Sequence, residues 1–347
     1  SISTSFFDLA DRTSTNYQLQ TSIYESFSLY LSKLNPEYSL AEIKSLTKQI
    51  LNQLSELSYE NENNQKCIFL SILVSGIIDS FDESKKSSAT EYLMLFITIC
   101  NKIITTNANV VSYQSLLTSM KHLVAFLNSD CMPMISDILD IATKGLFELN
   151  NDVIIASSLL ISQLCTSLTH NFIEFIPTAL NQLISKFLDL PYNFDDNFPY
   201  LLHTISTLIN IGDQNIVFSI EGFDKIESSK ESFLDIIYPK IEEIMKITAD
   251  FVYKLPKINE INKEYAELTF TELLYFYTSL MSLCKSLRTK DPKNPTKYLP
   301  PQILIQFQNL FIDVMEIGHK LMLLNDDILS KFLNFLFVII NIFGSNN

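Results

Sequence analysis

The chain has 347 residues, of which 47% are hydrophobic and only six are glycine, and it contains no tryptophan. This hydrophobic fraction can build a large core and excludes a disordered chain, while so few glycines argue against barrels, sandwiches and Rossmann units, which need glycine at turns and close backbone contacts. The net charge of −14 disfavours nucleic acid and anionic membranes as partners, and it would either attract a basic partner or serve solubility alone.

Apolar residues recur along the chain at the spacing of amphipathic helices, and short polar breaks divide these helices into pairs. Ser39 with Glu42 reads as a capping box at the start of one such helix. The composition and this pattern predict an all-α protein built from helical hairpins. The hairpins are predicted at 15–58, 63–105, 111–148, 152–189, 197–254 with an insertion at about 213–231, 262–321, and a partial one at 325–343.

The hairpins begin about 40 to 48 residues apart, which is the period of HEAT and armadillo repeats. A single hairpin cannot bury its apolar stripe, so neighbours stack and share a continuous core. We therefore expect residues 1–347 to form one right-handed α-solenoid of HEAT-type hairpins, with prolines such as Pro191 and Pro256 at helix breaks. Sequence identity between the hairpins is poor, so an irregular helical domain without a repeat is the alternative.

No segment is predicted to insert into a membrane. The longest apolar run, 332–344, is interrupted by Asn334 and Asn341 and is shorter than the roughly 20 residues that span a bilayer. The first residue is serine, and a helical pattern starts almost at once. We therefore expect the chain to be a fragment of a longer protein.

Nothing in the sequence indicates catalysis, a cofactor or a metal site. The five cysteines lie far apart, mostly within apolar runs, which is typical of buried thiols in a reducing compartment. The four histidines have no metal-ligand spacing, and the sequence has no glycine-rich phosphate loop and no nucleophile elbow. A protein that is not an enzyme is predicted, with a helical enzyme as a distant alternative.

Three segments resemble the importin-β (karyopherin-β) family, in order along the chain. In segment 13–32 the matching residues are Ser22, Tyr24, Glu25 and Ser26. In segment 120–151 they are Leu123, Val124, Leu127, Gly145 and Leu146. In segment 156–184 they are Leu164, Cys165, Leu168, Asn171, Ile173 and Phe175. INIG (209–212), FID (311–313) and FGSN (343–346) also fall at similar positions. The resemblance runs from about residue 10 to the end and is to the C-terminal part of the family. The family's inner-surface tryptophans have no counterpart here, and Pro177 and Thr178 replace an acidic pair.

The resemblance implies a nuclear transport receptor that moves between cytoplasm and nucleus through the nuclear pore. In the family, the concave face binds the basic importin-β-binding segment of importin-α or a basic cargo, and the convex face binds Phe-Gly nucleoporins. Ran-GTP would act mainly on the N-terminal half of the full-length protein. An exportin or another karyopherin is an alternative, as is a HEAT-repeat scaffold without transport activity, such as a structural nucleoporin.

Acidic residues on the second helix of each hairpin are the candidate contacts for a basic segment, because these helices line the inner surface of such solenoids and opposite charges set register and association rate. A solvated face without a partner is the alternative for each of them. Aromatic residues could line clefts for Phe-Gly motifs, although aromatic residues at helical spacing are usually core. The candidate acids are Asp137, Asp140, Asp235, Glu242, Glu243, Asp313 and Glu316; the aromatic residues considered are Phe69, Phe96, Tyr113, Phe126 and Tyr200.

Overall fold

Helices make up the regular structure of the protein. The computed structural model describes residues 2–12, 17–33, 45–53, 64–79, 81–106, 110–190, 196–220, 227–290, 305, 312–317 and 326–343, and no strand occurs among them. The expected all-α class is therefore confirmed. The helices are α1 (Ile2–Arg12), α2 (Tyr17–Ser32), α3 (45–53), α4 (Asn64–Ile78), α5 (Lys86–Thr106), α6 (Val110–Leu127), α7 (Ile135–Leu146), α8 (Asn151–Leu168), α9 (Ile176–Leu188), α10 (Phe198–Ile220), α11 (Glu227–Ile261), α12 (Lys263–Lys290), α13 (312–317) and α14 (Asp326–Phe343).

The chain forms two compact units, Ser1–Leu168 and Thr169–Asn347. In the first unit, each even-numbered helix packs against the next one, so that α2, α4, α6 and α8 form a row. The helices α5 and α7 contact each other in a second row and also contact α6 and α8, respectively. The short helix α3 adjoins α5, where the Tyr92 hydroxyl donates a 3.1 Å hydrogen bond to the Thr47 carbonyl. Two rows of alternate helices are what stacked helical hairpins produce.

Hydrogen bonds from serine hydroxyls link neighbouring helices of the first row, and these short side chains let the helices approach closely. The Ser28 hydroxyl of α2 donates to the Ile72 carbonyl of α4 at 2.8 Å. The Ser119 hydroxyl of α6 donates to the Ser71 carbonyl of α4, also at 2.8 Å. Both are cross-helix bonds to a carbonyl, and short side chains can make them only where two backbones lie near each other.

The second unit has the same two-row plan. Here α10, α12 and α14 form one row, while α9 and α11 contact each other in the other row. The rows meet where α9 contacts α10 and where α11 contacts α12. The Phe198 and Phe251 rings stack with centroids 3.5 Å apart. The short helix α13 adjoins α11 through a hydrogen bond from the Tyr253 hydroxyl to Asp313. The handedness and the single superhelix stay predictions.

Two inter-helix turns repeat the same backbone conformation. The 3-10 helix Asn128–Met134 connects α6 to α7, and the 3-10 helix Thr169–Phe175 connects α8 to α9. Each turn starts with a residue of positive φ, 48° at Asn128 and 45° at Thr169. The two residues lie 41 positions apart, which is within the range of HEAT-type periods. The repeat is therefore visible in backbone torsions although side-chain identity is low.

The structure differs from the expected boundaries mainly between α10 and α11. The helix α10 continues to Ile220 and α11 starts at Glu227, so most of the expected insertion at 213–231 is helical, and 221–226 lies outside the described residues. Asp213 reads as the start of a loop in the sequence, but its carboxylate is buried with hydrogen bonds from serines of α12. Pro256 lies inside α11 rather than at a break. Most of the predicted helix 301–321 lies outside the described residues.

Candidate binding surface

Two neighbouring helices of the first unit, α5 and α7, expose stripes that contain acidic and apolar side chains. On α5 the exposed positions include Glu91, Met94 and Thr98, and on α7 they include Asp137 and Asp140. Their spacing of three or four residues keeps each stripe on one side of its helix. The opposite sides are buried core, as at the fully enclosed Phe96 ring of α5 and at Ile138 and Ile141 of α7. We call the stripe of Glu91 and Met94 with Asp137, Asp140 and Lys144 the α5–α7 face.

The carboxylates on the α5–α7 face differ in how far they are already neutralised. Asp140 forms a 2.6 Å salt bridge with Lys144, one helical turn further along α7. Within the described part of the chain, Asp137 and Glu91 form no salt bridge, and both are exposed. These two carboxylates are therefore available to a cationic partner.

A lysine shared by two acids marks one end of this face. The Lys86 ammonium lies 2.7 Å from Glu83 and 2.9 Å from Asp130, which belongs to the turn before α7. The hydrogen bond with Glu83, followed by that with Asp130, raises the pKa of Lys86. One lysine between two carboxylates leaves the group with a net charge of −1, so the end of the face is acidic as well.

Large apolar side chains are also exposed on α5 and just after α7. Met94 is 57% exposed on α5, Phe147 is 48% exposed at the end of α7, and Leu149 in the following turn is fully exposed. Acidic groups on the same pair of helices as exposed methionine and phenylalanine suit a cationic segment that also carries apolar residues, because the apolar contacts add binding energy that salt does not screen.

The other predicted acids lie in the second unit, on a surface of mixed charge. Glu242 and Glu243 are exposed on α11, but Lys240 lies 3.8 Å from Glu243 and the exposed Lys246 follows one turn later. The carboxylate of Asp313 accepts a 2.6 Å hydrogen bond from the Tyr253 hydroxyl.

Glu316 is exposed on α13. Asp235 lies within α11, and its side chain is outside the described part of the structure. The structure thus places Asp137 and Asp140 together on α7, and Glu242 and Glu243 together on α11. It does not bring the seven acids into a single cluster within either unit.

Three of the five aromatic residues considered for Phe-Gly docking are core residues. Phe69, Phe96 and Tyr113 are at most 3% exposed, and the Tyr113 hydroxyl donates to the Ile141 carbonyl at 2.6 Å. Phe126 and Tyr200 are only half-buried. Of this set, therefore, only the last two rings could contact a partner directly.

The described residues contain no group of three or more histidine, cysteine or acidic side chains that could hold a metal ion. All five cysteines are buried, as the sequence predicts, and burial raises the pKa of Cys131 to about 11, which keeps it a thiol at neutral pH. One described stretch, Asn151–Leu188, is long and apolar enough to cross a membrane, but 61% of its most apolar window is buried inside the fold. Core helices of soluble proteins meet the same criteria, so this is weak evidence for a membrane span.

Glu91, Met94 and Lys144 are members of the face that the sequence analysis does not single out. Lys144 could be found from its position four residues after Asp140, which is the spacing of a helical ion pair. Glu91 and Met94 could not, because the sequence does not show that α5 packs against α7. A scan of protein-family models finds no match to this chain, and a search of curated proteins finds none. The importin-β resemblance therefore stays a prediction.

Proposed function

We propose that this chain is a helical-repeat binding protein of the importin-β kind whose α5–α7 face binds a basic segment of another protein. The observation that carries the proposal is that Asp137 and Glu91 are exposed and form no salt bridge on two helices that contact each other, which also expose Met94 on α5 and Phe147 at the end of α7. The partner would be the basic segment of importin-α or of a cargo. Such a receptor would form a right-handed solenoid of HEAT-type hairpins and would not be an enzyme.

The proposal also includes the remaining properties implied by the resemblance. Phe-Gly nucleoporins would bind the face opposite the basic segment, and Ran-GTP would regulate the full-length protein. The protein would work in the cytoplasm, in the nucleus and at the nuclear pore. The two-row packing of helices supports a repeat architecture, which is the scaffold that this activity needs.

Salt dependence separates the contributions of charge and apolar contact. Exposed charge pairs weaken as the ionic strength rises, because the Debye length falls from about 10 Å at 0.1 M to about 3 Å at 1 M salt. Contacts to Met94 and Phe147 would persist. A basic segment should therefore bind with an affinity that falls with salt but does not vanish, and its association rate should be the more sensitive quantity.

The test measures fluorescence anisotropy of a labelled peptide rich in arginine, lysine and leucine, against the wild-type chain and the double variant D137K/D140K. We expect the variant to lose at least about tenfold in affinity at low salt, which corresponds to about 1.4 kcal/mol. The matched control is E174K/D189K, which reverses two exposed charges outside the α5–α7 face and should bind like wild type. Equal losses of affinity in both variants would show that only net charge matters. No loss of affinity in either variant would reject the α5–α7 face as the binding surface.

Binding of Phe-Gly peptides distinguishes a transport receptor from a scaffold. Immobilised peptides with repeated Phe-Gly motifs should retain the protein, and the retention should resist salt because apolar docking carries it. Passage through the column at all salt concentrations would remove the transport part of the proposal while leaving the basic-segment part intact.

A further inference from the structure

The contact between α10 and α12 contains two groups of polar side chains that hydrogen-bond from one helix to the other. His203 of α10 lies 2.9 Å from the carboxylate of Glu272 on α12. Ten residues further along both helices, Asp213 receives hydrogen bonds from Ser282 and Ser286 of α12. From the first group to the second, the residue numbers increase along both helices, so the two helices run parallel and in a fixed register. Of these side chains, Asp213 is the one whose carboxylate lacks a full set of hydrogen-bond partners.

Asp213 is 5% exposed, and its Oδ1 atom finds no hydrogen-bond partner among the described residues. Each serine hydroxyl has one proton to donate. The Ser286 hydroxyl also lies 3.2 Å from the Ser282 carbonyl, to which it can donate instead. The two serines therefore stabilise a buried carboxylate only in part. Burial raises the pKa of Asp213, and the hydrogen bonds from Ser286 and Ser282 oppose that rise without cancelling it.

Charged side chains on the neighbouring helices are mostly directed to solvent. On α12 the described charged side chain closest in sequence to Ser282 and Ser286 is the exposed Lys285, while the side chains of Arg288 and Lys290 lie outside the described residues. The other described charged or titratable groups of α12 are the buried Glu272, Tyr277 and Cys284 and the exposed or half-buried Lys263, Glu264, Tyr265, Glu267 and Tyr275. Those on the other elements packed against α10 are exposed or half-buried: His170 and Glu174 in the turn before α9, Lys186 on α9, Asp189 just after α9, and Lys240, Glu242, Glu243, Lys246, Asp250, Tyr253, Lys254, Lys257 and Glu260 on α11. None of these described groups acts on the pKa of Asp213, for which burial and the two serines account.

We propose that Asp213 makes the packing of α10 against α12 proton-sensitive: the neutral acid fits the interface, and its ionisation loosens the contact. A neutral carboxyl can donate one hydrogen bond and avoids burying a charge. Because the pKa of Asp213 is raised in the folded unit, its contribution to stability is fully present below the pKa of the unfolded chain. That contribution is lost as the pH rises through the folded value. The second unit should therefore hold α10 and α12 more tightly in mildly acidic solution.

The experiment compares wild type with D213N by urea unfolding and by hydrogen exchange of peptides from α10 and α12, at several pH values between 4 and 8. Asparagine has the same shape and cannot ionise, so all other titrating groups cancel in the difference. We expect D213N to have the higher urea midpoint and slower exchange in α10 and α12 at pH 8. This advantage should shrink or reverse at pH 4. Exchange in α6 and α8 should be the same in both proteins.

The variant D189N, which changes an exposed carboxylate at the residue after α9, is the matched control and should show no such pH-dependent difference. A wild-type minus D213N difference that stays constant with pH would overturn the proposal. So would a D213N protein that is less stable than wild type at pH 8, because that result would mean that the carboxylate is well paired. Either outcome is measured on the full chain and needs no partner.

Discussion

Gly76 of α4 lies directly against the backbone of Ser28 on α2. A Cβ atom at position 76 would come within 2.7 Å of the Ser28 Cα atom. Since backbone atoms cannot rotate away as a side chain can, we expect Gly76→Ala to force α2 and α4 apart and to cost about 1–3 kcal/mol of unfolding free energy. Chemical denaturation of the purified variant measures this cost.

Gly145 of α7 provides the matched control for that substitution. A Cβ atom there would meet the Ser157 hydroxyl and would lie 3.2 Å from the Tyr113 hydroxyl. The serine hydroxyl can rotate, and alanine has a higher helix propensity than glycine by about 1 kcal/mol. Gly145→Ala should therefore change stability far less than Gly76→Ala. Equal losses in the two variants would contradict the close backbone approach at Gly76.

The helix α14 offers two phenylalanines on opposite sides for a second comparison. Phe335 is 2% exposed with its ring 6.4 Å from that of Tyr277, whereas Phe337 is 64% exposed. Phe335→Ala should cost about 3–5 kcal/mol, because it leaves a cavity in the core. Phe337→Ala should stay within about 0.5 kcal/mol. Thermal or urea unfolding of the two variants measures both, and a large loss for Phe337→Ala would show that its side chain is covered in solution.

Two tyrosine hydroxyls test how burial changes the value of a hydrogen bond. Tyr113 donates at 2.6 Å to the Ile141 carbonyl in the core, and the exposed Tyr253 donates at 2.6 Å to Asp313. Tyr113→Phe leaves a buried carbonyl without this donor and should cost about 1–2 kcal/mol. Tyr253→Phe should cost only a few tenths of a kcal/mol, because water replaces the hydroxyl there. Denaturation midpoints that rank the two in the opposite order would refute the assignment of Tyr113 to the core.

Removing the lysine that neutralises Asp140 should strengthen binding of a basic peptide if the α5–α7 face is the binding surface. Lys144→Gln frees the Asp140 carboxylate, which now forms a 2.6 Å salt bridge. We expect an increase in affinity of about two- to fivefold at low salt that disappears at high salt, since the gain is one exposed charge contact. Anisotropy titrations with the arginine- and lysine-rich peptide measure it.

Lys240→Gln on α11 makes the same change in net charge, since it removes the lysine that lies 3.8 Å from Glu243. It serves as the control and should not change the affinity. An equal gain in both variants would point to net charge rather than to the α5–α7 face.

The sequence predicts the helices well where their signals are local. Apolar spacing is readable without a structure. The structure adds the Asn150 cap of α8, whose Oδ1 accepts from the backbone N–H of Asp152 at 2.8 Å. The continuation of α10 past Asp213 is not readable from the sequence, because a charged residue after an apolar run reads as a helix end unless its burial against α12, with Ser282 and Ser286 about 70 residues away, is known. Likewise, the spacing of Asp137 and Asp140 predicts a shared side of α7, while the place of Glu91 on the adjoining helix is seen only from the packing of α5 against α7.

The matching turns that begin at Asn128 and Thr169 bear on how relatives of this chain can be found. Methods that score residue substitutions see little in common between the two hairpins, because hydroxyl, amide and aliphatic side chains exchange freely at equivalent places. A search that scores the order of φ and ψ angles would align residues 110–146 with 151–187 without a gap. Distant relatives should therefore be sought by the backbone geometry of their inter-helix turns rather than by their amino-acid sequences.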